Sequence, residues 1–124
     1  MSWYAAHAIV SIRPVKPRKG DIEVYENVLL IEASNEDEAT DKARKFAEAS
    51  VVKDDTLTVD GEPAALSFIG IRKIISVSNP WPLNQDRDRP VDGTEITYSL
   101  FKLKDEQALS KLVNAKEVLI HYLE

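Results

Sequence analysis

Alternation of apolar residues near the start of the chain most constrains what it can fold into. Over residues 3–13, every second side chain belongs to an apolar set: Tyr4, Ala6, Ala8, Val10 and Ile12. The positions between them carry a more mixed set: Trp3, Ala5, His7, Ile9, Ser11 and Arg13. A period of two is typical of a β-strand with one buried face. We therefore expect the first set to face the core.

A returning strand and a helix are predicted next. Residues 14–21 contain two prolines and a glycine, which favours a connection before a second strand at 22–33. Ser34 or Asn35, followed by three acidic residues, predicts a helix start. One face of that helix carries Ala39, Ala43, Phe46, Ala47 and Ser50. We expect this face to lie close to a sheet, with Phe46 as its single large anchor.

The second half of the chain predicts a hairpin and then more widely spaced elements. Asp60-Gly61 between two apolar runs is a strong hairpin signal. The returning strand extends to Val77 and includes Gly70, where we expect a bend or bulge. A long loop, a strand, a short helix capped by Asp105 and a final strand follow, at residues 79–93, 94–104, 105–113 and 118–123.

These elements predict the fold class. With 124 residues and 13.9 kDa, the chain fits a single globular domain, residues 1–124. The order ββα-ββ-β-α-β indicates an α+β fold with a mainly antiparallel sheet of about five to six strands, on which one longer and one short helix pack. The strand at 118–123 contains no proline or lysine. We expect it either between two neighbours or paired across a two-fold axis in a homodimer.

Composition excludes several classes of function. A net charge of -5 disfavours nucleic-acid binding, which depends on lysine and arginine neutralising phosphates. The absence of cysteine removes disulfides and thiolate chemistry and suits the cytoplasm. No signal peptide is recognisable, and no apolar run approaches the ~20 residues that span a membrane.

Catalytic and cofactor motifs are absent from the sequence. It contains no phosphate-binding loop, no dinucleotide-binding turn and no nucleophile elbow. The histidines, His7 and His121, lack the local spacing of a metal site. A site built from both with Glu26 or Glu95 stays open if the first and last strands are neighbours. We otherwise expect no cofactor, no metal and no catalysis.

Charged side chains within the predicted strands suggest a candidate site. Glu26 lies on an otherwise apolar strand face, and alternation places Arg72 on the same face as Leu66, Phe68 and Ile74. An arginine can bind a carboxylate with two hydrogen bonds, so Arg72 should pair with Glu26 or Glu95. Such a pair either fixes strand register or, with Tyr98, forms a ligand-binding or catalytic cluster.

Aromatic residues suggest a second candidate, a protein-binding surface. Trp3 and His7 share the less apolar face of the first strand, and Trp81 lies in the long loop. Tryptophan and tyrosine are frequent anchors of interfaces. We therefore expect a non-catalytic module, adaptor-like or inhibitor-like, that binds a protein partner or itself. The alternative is a small-ligand domain or weak enzyme built on Arg72, Glu26, Glu95 and Tyr98.

Several short blocks of sequence resemble one known family. They are Trp3-Tyr4-Ala5-Ala6, Tyr25-Glu26-Asn27, Leu30-Ile31-Glu32-Ala33, Glu36-Asp37-Glu38-Ala39, Asp60-Gly61, Phe68-Ile69-Gly70-Ile71, Asp92-Gly93-Thr94-Glu95 and Tyr98-Ser99. Together they resemble domain of unknown function 4288 over residues 3–99. The proline-rich stretch 79–90 and the elements after Leu100 depart from that pattern. The resemblance implies a small domain and assigns it no activity.

Overall fold

The computed structural model describes residues 1–17, 19–51, 56–85 and 87–124. Residue 18 of the predicted connection and residue 86 of the predicted loop lie outside this range. The described elements are β1 (Ser2–Pro14), β2 (Glu23–Ala33), α1 (Glu36–Ser50), β3 (Thr58–Val59), β4 (Glu62–Ser76), β5 (Phe101–Lys102), α2 (Glu106–Val113) and β6 (His121–Tyr122). Among these residues, no helix has the length and apolar character needed to cross a membrane.

The main sheet has four strands in the order β2-β1-β4-β3, and every pair is antiparallel. The long, alternating β1 occupies a central position between β2 and β4. A separate two-stranded sheet joins β5 to β6. The predicted α+β class, the mainly antiparallel pairing and the order of elements are confirmed.

The core lies between α1 and one face of the main sheet. Its buried residues are Tyr4, Ala6, Ile31, Ala33, Ala39 and Ala43. Four of these six are alanines, so the helix backbone approaches the sheet closely. Asn35 begins the helix by accepting a hydrogen bond from the backbone N–H of Glu38 at 2.8 Å. The predicted helix start and alanine face are therefore confirmed.

Phe46 does not anchor the helix, contrary to the prediction. Its residue surface is 61% exposed, whereas Ala39, Ala43 and Ala47 are buried. These alanines repeat every four residues and form a narrow stripe that faces the sheet. Phe46 lies beside the stripe, where it lines a groove between α1 and β2.

Two irregularities in β4 change which side chains share a face. The register of β4 against β1 shifts between His7 and Ala8 and again between Ile9 and Val10. The predicted bulge near Gly70 is thus confirmed. Because a bulge inserts one extra residue, strict alternation fails across it. Arg72 therefore lies on the face opposite α1, and its predicted place beside Phe68 and Ile74 is wrong.

A tight turn and a side-chain hydrogen-bond network order two connections in the second half of the chain. Asp60 and Gly61 adopt positive φ values of 51° and 79° between β3 and β4, which confirms the predicted hairpin. In the long loop, the buried Asn79 side chain donates to the carbonyls of Asn84 and Asp88 and accepts from the Thr94 hydroxyl. These three hydrogen bonds of one buried amide connect separate parts of the loop.

The two strands predicted after the loop are much shorter than expected. Only Phe101–Lys102 of residues 94–104, and only His121–Tyr122 of residues 118–123, form strands. They pair with each other, so the last strand is not inserted into the main sheet. Residues 94–124, here called the C-terminal segment, instead send side chains and carbonyls onto the sheet face opposite α1. That face is called the outer face below.

Candidate functional site

A cluster of ionisable side chains occupies the outer face between the sheet and the C-terminal segment. His7 stands at its centre on β1, opposite Val28 of β2 and Lys73 of β4. The residue is only 3% exposed. The cluster, called the outer-face cluster below, consists of His7, Glu26, Arg72, Lys73, Thr97 and Glu124.

Both ring nitrogens of His7 have hydrogen-bond partners. Nδ1 lies 3.0 Å from Glu26 Oε1, and Nε2 lies 2.5 Å from Thr97 Oγ1. A carboxylate can only accept, so Nδ1–H donates to Glu26 and Nε2 accepts from the Thr97 hydroxyl. Burial lowers the pKa of His7, and the positive charges of Lys73 and Arg72 add to this effect against the opposing pull of Glu26. His7 is therefore neutral near pH 7.

Glu26 is shared between His7 and Arg72. The Arg72 Nε donates to Glu26 Oε1 at 2.6 Å, and this hydrogen bond raises the pKa of Arg72. Burial favours the protonated carboxyl of Glu26, but the hydrogen bond and charge of Arg72 outweigh it, and the pKa of Glu26 is lowered. The guanidinium also lies 5.0 Å from the centre of the Tyr122 ring. The prediction that Arg72 pairs with Glu26 is confirmed.

Glu124 connects the end of the C-terminal segment to β4. Lys73 Nζ donates to Glu124 Oε1 at 2.7 Å and to the carbonyl of Tyr98 at 2.7 Å. The hydrogen bond from Lys73 lowers the pKa of Glu124, assisted by the Leu100 N–H at 2.6 Å. Arg72 Nη2 reaches the same carboxylate at 3.5 Å.

The charges of the cluster balance. Arg72 and Lys73 are cations, Glu26 and Glu124 are anions, and each cation contacts a carboxylate within the cluster. A buried charge is costly unless it is paired. The arrangement therefore joins the C-terminal segment to the outer face without leaving a net charge for a ligand.

Three side chains of the cluster form a hydrogen-bonded chain of a type also found in catalytic sites. Glu26, His7 and Thr97 form a carboxylate–imidazole–hydroxyl chain, with His7 in the tautomer that can accept the hydroxyl proton. Hydrolases activate a nucleophile through the same order of groups. Cavities lined by described residues lie at α2, between β2 and α1, at the first connection and beside β5. None of these is lined by His7 or Thr97.

Of the seven candidate residues predicted from the sequence, the structure brings three into the outer-face cluster, namely His7, Glu26 and Arg72. Tyr98 contacts the cluster through its backbone carbonyl, which accepts from Lys73. Glu95 lies elsewhere and forms backbone hydrogen bonds with Ser78. Trp3 lies opposite Glu32, and its buried indole N–H has no hydrogen-bond partner among the described residues. Trp81 is 87% exposed in the loop, and Tyr98 is 52% exposed.

Sequence reasoning missed Thr97, Glu124 and Tyr122. All three reach the cluster from the C-terminal segment over long sequence separations, 90 residues in the case of Thr97 and His7. Within the described residues, no group of three histidine or acidic side chains could hold a metal ion. His121 pairs with Lys102, on the small sheet rather than beside His7.

A second feature is the outer edge of β2, which lies at one end of the main sheet and pairs with no further strand among the described residues. Its exposed apolar side chains, called the β2 edge surface below, are Val24, Tyr25, Val28 and Leu30. A groove of about 570 Å³ runs between this edge and α1, lined by Leu30, Ile31, Glu32, Lys42, Lys45, Phe46 and Ala49. Exposed apolar side chains along an edge strand are typical of interaction surfaces.

Comparison with known families gives a match over most of the chain. The model of the family described as "Domain of unknown function (DUF4288)" matches residues 3–97. Those residues include β1 to β4, α1 and the Glu26–His7–Thr97 chain. Searches of curated proteins and of solved structures found no match.

Proposed function

Since the chain belongs to the DUF4288 family, whose description assigns no activity, we propose from its own structure that it is a non-catalytic protein-binding module. Its binding surface is the β2 edge surface. The observation that carries the proposal is a long edge strand with exposed apolar side chains on both faces, Tyr25 on one and Val28 on the other. Edge strands of this type add strands from partners.

The outer-face cluster supports the same proposal. Its two carboxylates and two cations contact one another, and its central His7 is buried and neutral. A group already paired in this way stabilises the fold and offers little to a ligand. A cytoplasmic location, suited to a chain without cysteine, is part of the proposal.

A comparison of two surface variants tests this function. Leu30→Lys places a charge on the β2 edge surface, whereas Leu119→Lys places one on a residue that is 93% exposed in the C-terminal segment. Each variant and the wild type serve as bait in extracts of the source cell, and retained proteins are then purified and titrated. We expect at least one partner that binds the wild type and Leu119→Lys but not Leu30→Lys. Equal binding by all three baits would refute the β2 edge surface as a binding site for other proteins.

The second candidate function is a weak hydrolase or small-ligand domain. It is favoured by one observation, the Glu26–His7–Thr97 chain with Arg72 and Tyr98 nearby. Hydrolysis of an activated aryl ester by wild type, His7→Gln and Thr97→Ser tests it. Turnover that is lost in His7→Gln and retained in Thr97→Ser would support this candidate. Equal, background rates for all three proteins would reject it.

A further inference from the structure

The backbone of β2 directs hydrogen-bonding groups toward the edge that faces away from β1. Val77 N–H donates to the carbonyl of Trp3 at 3.0 Å, so the peptide groups of Trp3 point toward β4. Glu32, opposite Trp3, must then point its own peptide groups away from β1. The Lys42 ammonium donates to the Glu32 carbonyl at 2.7 Å from the α1 side, as this orientation requires.

The same orientation repeats along the strand. The pairing of β1 with β2 has no register shift from Ser2 to Ile12. Every second residue before Glu32 therefore also directs its N–H and C=O outward: Val24, Glu26, Val28 and Leu30. Residues 23–33 contain no proline and no lysine, the usual protections of an edge strand.

A second copy of β2 fits this edge. Opposite residues of antiparallel strands point to the same face, so a two-fold axis between identical strands must pass through a residue. Val28 is the middle of Glu23–Ala33, and an axis there is the register that pairs the whole strand. In that register Glu26 faces Leu30, Glu32 faces Val24, and Glu23 faces Ala33. No carboxylate lies directly opposite another.

Neighbouring registers are less suitable. Moving the axis to Leu29 would place Glu26 opposite Glu32, and moving it to Glu26 would place that residue opposite itself. Like charges directly opposite each other destabilise a strand pair. An axis at Asn27 avoids this conflict but leaves the end of the strand unpaired. The charges and the strand length together favour Val28.

Side chains on the α1 side are also complementary in this register. Tyr25 of one copy lies opposite Ile31 of the other, at the groove that Ile31 and Phe46 line. Tyr25 and Phe46 are both exposed in the single chain, at 56% and 61%. Glu23 of one copy lies opposite Ala33 of the other, next to the residue whose carbonyl binds Lys42. The groove of one copy contains an aromatic ring and two lysines, Phe46, Lys42 and Lys45. The other copy places the Tyr25 ring and the Glu23 carboxylate beside them.

We propose that two copies of this chain associate through β2, antiparallel about a two-fold axis at Val28, to form a continuous eight-stranded sheet. The inference rests on the proposed function, because it identifies a second copy as the partner of the β2 edge surface. Exposed Tyr25 and Phe46 then become buried against each other. Val28 is the residue that meets its own copy.

Charge variants at residue 28 test both the surface and the register. Wild-type protein should sediment at twice 13.9 kDa at tens of micromolar. Val28→Lys and Val28→Glu should each be monomeric, with dimer dissociation constants raised about 100-fold or more, because like charges then face each other. An equimolar mixture of the two variants should restore a 1:1 dimer. Leu119→Lys should remain dimeric.

A cysteine variant gives an independent check if either charge variant folds poorly. The chain contains no cysteine, so Val28→Cys introduces the sole thiol. Opposite Cα atoms in a hydrogen-bonded antiparallel pair lie about 5.5 Å apart, which a disulfide can span. Val28→Cys should form a covalent dimer rapidly under mild oxidation, and Val113→Cys, exposed on α2, should not.

Three results would overturn the inference: a monomeric wild type at tens of micromolar, wild-type-like dimers of both charge variants, or variants that stay monomeric after mixing. A monomeric wild type would leave the proposed function standing if the Leu30→Lys bait still loses a partner. If all baits retain the same proteins while the wild type dimerises as described, binding of other proteins through this surface is refuted and self-association is still supported.

Discussion

Replacing Ala43 by leucine should destabilise the fold by overpacking the layer between α1 and the main sheet. Ala43 is 0% exposed and belongs to a cluster with Ala6, Ala33 and Ala39, each also 0% exposed. Leucine adds three carbon atoms where the helix approaches the strands most closely. Extra methylene groups in a packed core cost about 1–3 kcal/mol. We expect a loss of free energy of unfolding in that range.

Urea denaturation followed by circular dichroism measures the effect. With a slope of about 2 kcal/mol per molar, a loss of 1–3 kcal/mol lowers the midpoint by about 0.5–1.5 M. Glu48→Leu on the same helix is the control, because Glu48 is exposed and does not line the groove between α1 and β2; it should change stability by about 0.5 kcal/mol or less. All proteins are compared at one concentration. Equal midpoints for Ala43→Leu and wild type would refute the close contact of helix and sheet.

Three further predictions concern the outer-face cluster. A double-mutant cycle of Arg72→Met with Glu26→Gln should show about 0.5–1 kcal/mol of coupling, since both groups are partly exposed; the same cycle with Glu95→Gln should be additive. The pKa of His7 is lowered in the folded protein, so as the pH falls His7 becomes protonated in the unfolded chain before it does in the folded one. The free energy of unfolding of the wild type should therefore reach its full value above about pH 6.5 and fall as the pH drops below it. His7→Gln should abolish this loss, measured by urea denaturation at a series of pH values. Thr97→Val removes the hydroxyl that donates to His7 and should cost about 1–2 kcal/mol, measured by urea denaturation, whereas Thr97→Ser should retain most of that stability.

The main sheet and α1 could be predicted from local sequence patterns. Alternation in β1, the hairpin at Asp60-Gly61 and the cap at Asn35 each depend on a few neighbouring residues, and the structure contains all three. Phe46 was misassigned because helical spacing alone does not give the width of the buried stripe. Arg72 was misassigned because one extra residue at a bulge reverses every side chain beyond it.

The C-terminal segment could not be predicted from its pattern. Ile96, Tyr98 and Leu100 alternate like strand residues, yet their backbone has no long strand beside it, and all three are exposed. The Tyr98 carbonyl binds Lys73 instead of a neighbouring strand. Half of the candidate site followed from Arg72 and Glu26, which need partners wherever they are buried. The other half depends on Thr97 and Glu124, whose positions are set by tertiary contacts.

Two long strands, β2 and β4, flank β1, and they differ in how well they can accept another strand. The β4 strand contains two register shifts, pairs with β3 at its start and is followed by the bridge from Ser78 to Glu95. Bulges twist a strand and interrupt the regular row of N–H and C=O groups that a partner would need. The β2 strand is regular over its whole pairing with β1 and exposes apolar side chains on both faces. Since the outer-face cluster satisfies its own charges, we propose the edge of β2, rather than β4, as the surface that recognises another protein.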